Sequence, residues 1–339
     1  MKIVLDAFGG DHAPEEIVKG GLLALQEAAD FSLVLVGDEQ KINAILAEES
    51  YDKARVEVVH APEVITNDDV PTVAIKQKKE SSLVVAFRYL KENEDAVGMV
   101  SAGSTGAVLT GGLFLLGRIR GIDRPALCPL LPTLKGGQVA LIDCGANVDC
   151  KPINLVQFGM MGSVYARVRC GVENPRVALL SNGTEDKKGN ALNKEAFPLL
   201  KACKSINFVG NMEAREALSG DYDVIVTDGF AGNILLKGIE GAAGMVTKML
   251  KTEIYSKTRF KIAALGLKPV FKKLKTTMDY NRVGGALFVG VQKVLVKSHG
   301  SSKRDAILAS ILQTLEVHKR GMIESIKEEL AKMTAEEQA

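Results

Sequence analysis

Acidic, amide, hydroxyl and glycine side chains collect at the ends of short apolar runs in this chain, and those ends are where its chemistry is sought. The run Lys2–Asp6 is closed by Asp6, Gly9, Gly10, Asp11 and His12. Ser101, Gly103, Ser104, Thr105 and Gly106 follow a second run, and Asp143, Gly145 and Asn147 a third. Residues 182–189, with Glu185, Asp186, Lys187 and Lys188, follow a fourth, and Asp228, Gly229, Gly232 and Asn233 a fifth. Glycines let a backbone approach an anion closely, and hydroxyls beside helix-start amides hold phosphate oxygens. The Ser101–Ala107 loop is the strongest such cradle. Any one of these segments alone also suits an ordinary strand-to-helix turn; five on one rim point to a binding crevice. Neither a dinucleotide fingerprint nor a P-loop is present, and Lys237, near Gly232, reads as a helix-surface residue.

The elements that would carry these ends alternate. Lys2–Asp6, Phe31–Val36, Arg55–Val59, Asp95–Ser101, Gln138–Asp143, Arg176–Ser181, Ile206–Gly210 and Tyr222–Thr227 read as strands, several of them unbroken Val/Ile/Leu runs suited to burial on both faces. Helices are expected over Pro14–Ala29, Asp38–Ala47, Pro71–Lys91, Pro152–Arg169 and Asn190–Lys204, with a proline in the first turn of three of them. This rhythm predicts an α/β fold, a doubly wound and mainly parallel sheet between helical layers. Beyond Gly241 a long helical, lysine-rich stretch takes over, and strand character returns over Gly284–Val291. No linker divides the chain, so 1–339 reads as one domain with a basic amphipathic segment at about 245–282 and a charged C-terminal helix and tail at about 303–339.

The bulk numbers bound the rest. The chain has 339 residues, 46% hydrophobic and 25% charged, with a formal net charge of +2, so any basic surface must be local. Its five cysteines form no Cys-x-x-Cys pair and its four histidines are scattered. That argues for a reducing compartment and against zinc or a disulfide framework. No signal peptide is expected after Met1. The uncharged stretch Ala96–Gly117 is long enough to span a bilayer but rich in glycine and hydroxyls, and it reads better as a strand, a loop and a buried helix.

Taken in order, Asp6–Pro14, Ser101–Ala107, Asp123-Arg124-Pro125, Asp143–Asn147, Gly159–Gly162, Asn182–Asn190, Asp223–Lys237, Asn281–Gly290 and His299–Ser302 resemble the bacterial phosphate acyltransferase (PlsX) family. The likeness runs from Met1 to about Lys319; Phe8 departs from it, standing where the family usually has methionine. The resemblance implies transfer of a long-chain acyl group from acyl carrier protein to inorganic phosphate, feeding phospholipid synthesis. It also implies a three-layer α/β/α fold like that of the isocitrate/isopropylmalate dehydrogenases and phosphotransacetylases, a homodimer, and a later acyltransferase that consumes acyl-phosphate.

That reaction fits the residues. Phosphate is already an anionic nucleophile, and a thioester releases a thiolate whose conjugate acid has a pKa of about 8.5, so no cofactor, metal or enzyme nucleophile is required. What is needed is positioning and oxyanion stabilisation. Lys188 is the leading candidate for the phosphate or oxyanion, with Lys187 beside it; either also suits an exposed turn. Asp228 could take a proton from phosphate or orient Lys188, or simply cap a helix. Asn233 completes the catalytic set. Asp6, Gly10, Ser101, Gly103, Ser104, Thr105, Asn147, Asn281, Gly284 and His299 are the substrate-binding candidates; His299 could also act as general acid for the departing thiol, but a thiolate barely needs one and a structural role suits it better.

From Lys251 to Arg282 nine Lys/Arg face two acidic residues. Leu267, Val270, Phe271 and Leu274 recur at helical spacing with Lys272 among the intervening lysines. Such a helix suits an anionic membrane surface, or equally packs on the core or on a partner subunit; the resemblance implies the former, with the protein in the cytoplasm and peripherally on the inner face of the cell membrane. Few aromatics interleave with the charges, which argues against nucleic acid. A dehydrogenase on the related fold, an acyl-CoA phosphotransacetylase and a carrier-binding scaffold remain as rival readings.

Overall fold

Along the first strands, successive apolar side chains enter different cores, because a strand alternates faces. Ile3 and Leu5 join one buried cluster and Val4 another; Leu33 and Leu35 separate from Val34 and Val36 in the same way. A sheet with a core on both sides is the middle of three layers. The computed structural model describes residues 1–271 and 284–337.

The first sheet has seven strands in the order β3-β2-β1-β4-β12-β11-β5. These are β1 (Lys2–Asp6), β2 (Ser32–Gly37), β3 (Val56–His60), β4 (Ala96–Ser101), β5 (Ala126–Cys128), β11 (Ala286–Val289) and β12 (Val294–Lys297). All neighbours are parallel except the β12/β11 and β11/β5 pairs. The chain runs outward from β1 to β3 and then returns to place β4 on the other side of β1. The topological switch therefore lies between the Asp6 and Ser101 strand ends, where ligands of open α/β sheets bind. The second sheet is β6-β7-β10-β8-β9, formed by β6 (Leu130–Pro132), β7 (Gln138–Ile142), β8 (Arg176–Ser181), β9 (Asn207–Glu213) and β10 (Val224–Val226), with only β6 antiparallel.

One core serves a face of each sheet. It takes Ile17, Val18 and Leu22 from α1 (Glu15–Glu27), Ile307 and Ile311 from α10 (Arg304–Lys319), and Phe197 and Leu200 from α7 (Ala191–Ala202). At its centre runs α6 (Pro152–Cys170), apolar and buried on nearly every side, as befits a helix enclosed by its neighbours. The opposite face of the first sheet is covered by α4 (Ser82–Glu92) and α5 (Thr105–Gly111). On the opposite face of the second, Leu235, Leu236 and Ile239 of α8 (Gly229–Ser256) pack with Leu141, Cys144 and Ile225. The edges are completed by α2 (Glu39–Ala47), α3 (Pro71–Gln77), α9 (Thr258–Gly266) and α11 (Met322–Glu337).

The α/β class, the parallel bias and the helical layers are those expected, but the strands divide between two sheets. The division falls at Pro129, between β5 and β6, where the chain leaves one sheet and enters the other. The sheets stay stitched at this point: Leu141 N–H donates to Pro129 O at 3.1 Å and Cys144 N–H to Leu127 O at 3.0 Å. β5, β6 and β12 are additional strands, too short to show a period in the sequence. The helix expected over Pro71–Lys91 is broken. Ser81 donates to Lys78 O at 2.7 Å and caps α4 by accepting from Val84 N–H at 3.4 Å, ending one helix and starting another. Residues 96–117 become β4, a loop, α5 and a π-helical turn, and among the described residues no helix is long and apolar enough to cross a membrane.

Candidate functional site

Asp6 ends β1 with its carboxylate 1% exposed. Ser82 donates to one oxygen at 2.6 Å and Ser101 to the other at 2.7 Å. Burial pushes the Asp6 pKa up, while the two hydroxyls oppose the shift. Ser101 Oγ in turn accepts from Gly103 N–H at 3.1 Å, so Asp6 and Ser101 set the course of the loop rather than presenting free polar atoms. Beyond them Ser104 begins α5 without a side-chain capping bond, and Thr105 is exposed in the first turn. Gly10, at φ +103°, lies where a Cβ would sit 2.9 Å from Ala102 Cβ and 3.0 Å from Gly300 O. Asp11 N–H donates to that same carbonyl at 2.8 Å, tying the β1 loop to residues 298–302. There His299 is exposed; its Nδ1 accepts from Ser301 N–H at 3.2 Å and lies 2.8 Å from Ser301 Oγ. Gly284 reaches the same rim because β11 starts beside the end of β12. Its φ is +108°, and a Cβ there would meet Gln313 Oε1 at 2.1 Å.

The rim of the second sheet is organised by Asp143, which is fully buried. Its carboxylate accepts from the N–H groups of Leu127 (2.9 Å), Gly145 (3.2 Å), Ala146 (3.1 Å) and Asn147 (2.7 Å), and from Asn147 Nδ2 (2.9 Å). Burial raises its pKa against the pull of these donors. Asn147 Nδ2 also donates to Pro125 O at 2.8 Å. On this loop rests the start of α8. A Cβ on Gly229 would sit 2.6 Å from Asn147 O, and one on Gly232 only 1.9 Å from Asp143 O. The two glycines, three apart on one helix face, thus let the helix touch the strand-end backbone. That contact brings Asn233 Nδ2 to 3.1 Å from Cys144 O. Asp228 caps the helix, accepting from Ala231 N–H at 2.7 Å.

Lys188 and Lys187 are exposed on the loop after β8, next to β10 in the sheet. This loop is held in shape by Asn211 Nδ2 donating to Glu185 O (2.8 Å) and Gly189 N–H donating to Asn182 Oδ1 (2.9 Å). A Cβ on Gly183 would meet Lys188 Cγ at 2.8 Å, so the lysine stem lies over that glycine. Phe8 packs its ring over Gly37.

The candidates therefore form two groups. Asp6, Gly10, Ser101, Gly103, Ser104, Thr105, Gly284 and His299 share the rim of the first sheet; Asn147, Lys188, Asp228 and Asn233 share that of the second. α8 rests on the second rim, through Gly229, Gly232 and Asn233, and the charge of its Lys237 is felt at Cys144 and at Lys297. Leu267 and Val270 of the basic segment are half exposed; Asn281, Lys272 and Leu274 lie outside the described residues, and Phe271 ends the described part. Two residues that organise the rims escaped the sequence reading. Asp143 was visible as a strand-ending acid without an assigned role. Lys297, 7% exposed at the end of β12, gave no signal in a chain with many lysines.

Burial pushes the thiols of Cys128 and Cys144 well up, Cys150 up to about 12 and Cys170 up to about 11. Among the described residues no group of three or more His, Cys, Asp or Glu could hold a metal ion.

Residues 1–325 match the family described as fatty acid synthesis protein. A phosphate acyltransferase of Listeria innocua is 47% identical over 333 residues, covering 98% of this chain and 97% of the relative. One of Exiguobacterium sp. is 50% identical over 329 residues, covering 96% and 98%. Among solved structures, a phosphotransacetylase from Streptococcus pyogenes shares the fold with a TM-score of 0.61 at 16% identity, over 96% of this chain and 94% of that one. The 4-hydroxythreonine-4-phosphate dehydrogenase of Klebsiella pneumoniae gives 0.51 at 16% identity, over 94% and 99%. By sequence identity sustained over nearly its whole length, the chain is an acyltransferase and belongs to the phosphate acyltransferase family.

Proposed function

We propose that the protein transfers a long-chain acyl group from acyl carrier protein to inorganic phosphate, serving phospholipid synthesis. A phosphate oxygen attacks the thioester carbonyl, the tetrahedral intermediate collapses with cleavage of the C–S bond, and the carrier leaves as a thiolate that takes a proton from solvent. The product is an acyl-phosphate. The observation that carries this reading is the pair of strand-end rims, furnished with backbone N–H groups, hydroxyls, amides and lysines, while burial holds Cys144 and Cys150 in the thiol form. Such a site holds and polarises substrates; it is not built around an activated thiol.

In this scheme Lys188 holds phosphate or the oxyanion and Asn233 donates a hydrogen bond. Asp228, whose second carboxylate oxygen is not used in capping, orients Lys188 or accepts the phosphate proton. The Ser104 and Thr105 hydroxyls and the first amides of α5 contact phosphate oxygens. Asp6 and Ser101 hold that loop, Asn147 holds its counterpart on the second sheet, and Gly10, Gly103 and Gly284 admit the substrate. Asn281 and His299 stand at the margin of the site. No cofactor or metal takes part.

The partners are acyl carrier protein, a second copy of this chain, and a later acyltransferase that consumes the reactive mixed anhydride. Met245, Val246, Met249 and Leu250 on α8 are exposed, which supports a homodimer formed along that helix. The basic stretch past it docks peripherally on the inner, anionic face of the cell membrane, the rest of the protein remaining in the cytoplasm.

The test is acyl-phosphate formation by the purified protein with a long-chain acyl carrier thioester, trapped as the hydroxamate. Hydroxamate that rises with phosphate and matches thioester consumed is expected. An acylated side chain during turnover, product independent of phosphate, or use of acyl-CoA alone would sink the proposal.

A further inference from the structure

Lys293 and Lys297 lie four residues apart around β12, and their environments differ. Lys293 Nζ donates to Leu90 O (2.6 Å), Asn93 O (2.8 Å) and Ala96 O (2.8 Å). Those three carbonyls consume its three protons, and it caps the end of α4. That is a structural lysine. Lys297 is far more enclosed, yet its Nζ meets only Ser298 O closely and Ala102 O at 3.5 Å. Among the described residues no carboxylate pairs with it. An ammonium buried without a counter-ion is costly, and two carbonyl dipoles compensate poorly.

The surroundings indicate what would compensate it. Ala102 belongs to the loop between Ser101 and Ser104, the phosphate-like cradle at the topological switch point. Ser298 N–H donates to Ser101 O at 2.9 Å, extending the β4/β12 pairing into this loop. The charged groups that act on Lys297 are Asp6 of β1 and Asp11 of the following loop, which favour the ammonium, and Lys237 of α8, which opposes it. Asp6 is engaged by Ser82 and Ser101 rather than by the lysine. Lys237 is itself ion-paired with Glu240 at 2.7 Å, so Lys297 is left as a buried ammonium that, among the described residues, no carboxylate contacts.

We propose that Lys297 is a phosphate-binding cation of the cleft, its ammonium neutralised by the incoming phosphate between the Ala102–Ser104 loop and α8. The inference rests on phosphate being the acyl acceptor, and it makes Lys297, together with Lys188, a residue that touches the attacking nucleophile. Burial, the largest influence, lowers the Lys297 pKa to about 8. The ammonium therefore predominates at neutral pH and is lost as the pH rises above that value, while phosphate grows more anionic above about 7. Phosphate binding should peak between the two and fall on the alkaline side.

The experiment is direct binding of inorganic phosphate to the full chain by calorimetry, run beside phosphate-dependent turnover and thermal unfolding. Lys297→Met should fold with an unchanged or raised Tm, because an apolar side chain replaces a lone buried charge. Its phosphate Kd and KM should both rise by about tenfold or more, with little change in the KM for the acyl thioester. Lys297→Arg should keep binding at neutral pH and lose the alkaline fall, since arginine does not deprotonate there. A Met variant with a lower Tm but unchanged phosphate Kd would assign Lys297 a structural role and overturn the proposal. If that variant does not fold, an unaltered alkaline fall in the arginine variant does the same. Phosphate-dependent turnover by the wild type with normal phosphate binding by the Met variant refutes this inference alone. A wild type that does not use phosphate as acceptor refutes the wider reading.

Discussion

A thiol competes with phosphate for a thioester only as its thiolate. Cys144 stands at the second rim and Cys150 just past it, the two cysteines best placed to form an acyl-enzyme, but burial and the Asp143 charge hold both in the thiol form. Cys144→Ala and Cys150→Ala should therefore turn over at rates close to wild type. Loss of turnover by a folded variant would mean that the acyl group passes through a protein sulfur. Lys188 is the converse case. It is exposed, so Lys188→Ala should fold normally, yet turnover should fall on the order of a hundred-fold, as when one donor to a developing oxyanion is removed. An unchanged rate at saturating phosphate would take Lys188 out of the site. At this scale the sequence was readable where residue type restricts position: Asp6, Ser101 and Asp228 all stand at strand ends. Lys297 was not, because a lysine becomes unusual only through what encloses it.

Helix α8 is placed by what its first turns lack. With no side chain at Gly229 or Gly232, the helix lies against the backbone of Asp143 and Asn147, and Asn233 reaches Cys144 O. A methyl at position 232 would overlap a backbone oxygen, which cannot rotate away as a side chain can. Gly232→Ala should lower the unfolding free energy by about 3 kcal/mol, seen as an earlier urea midpoint. It should also cut turnover in the protein that remains folded, because Asp228 and Asn233 shift with the helix. A variant with wild-type stability and rate would show that the helix docks elsewhere. The glycines were visible in the sequence as a loop signature; that they serve contact between elements, rather than a turn, required the packed structure. The break between α3 and α4 is similar. Residues 71–91 are helical by pattern, yet Ser81 and Ser82 end one helix and start the next, and Ser82 thereby reaches Asp6 from 76 residues away in the chain.

Over the whole molecule, the two sheets share one core while α8 and α9 leave a run of large apolar side chains uncovered. Tyr255, Ile262 and Leu265 are each about two-thirds exposed, and lysines are interspersed among them. Each lysine near an anionic bilayer contributes about 1 kcal/mol, an attraction that salt screens. In vesicle flotation the protein should be recovered with phosphatidylglycerol vesicles at low salt, less so at high salt, and least with neutral lipid. Leu267→Asp and Val270→Asp should reduce the recovery. Equal recovery with neutral and anionic vesicles would rule out electrostatic docking.

The longer strands and most helices, the parallel bias and the concentration of polar residues at strand ends were determined by the sequence itself, because they follow from periodicity and residue type over a few neighbours. The family was legible for the same reason, in segments such as Asn182–Asn190 that are local and continuous. The tertiary structure alone decided that the strands part at Pro129 into two sheets, that Asp143 gathers N–H donors from β5 and from the loop after β7, and that Lys297 is buried beneath the Ala102 loop. These depend on contacts between residues remote in the chain, and burial, the term that alters charge and hydrogen bonding most, does not exist until those contacts form.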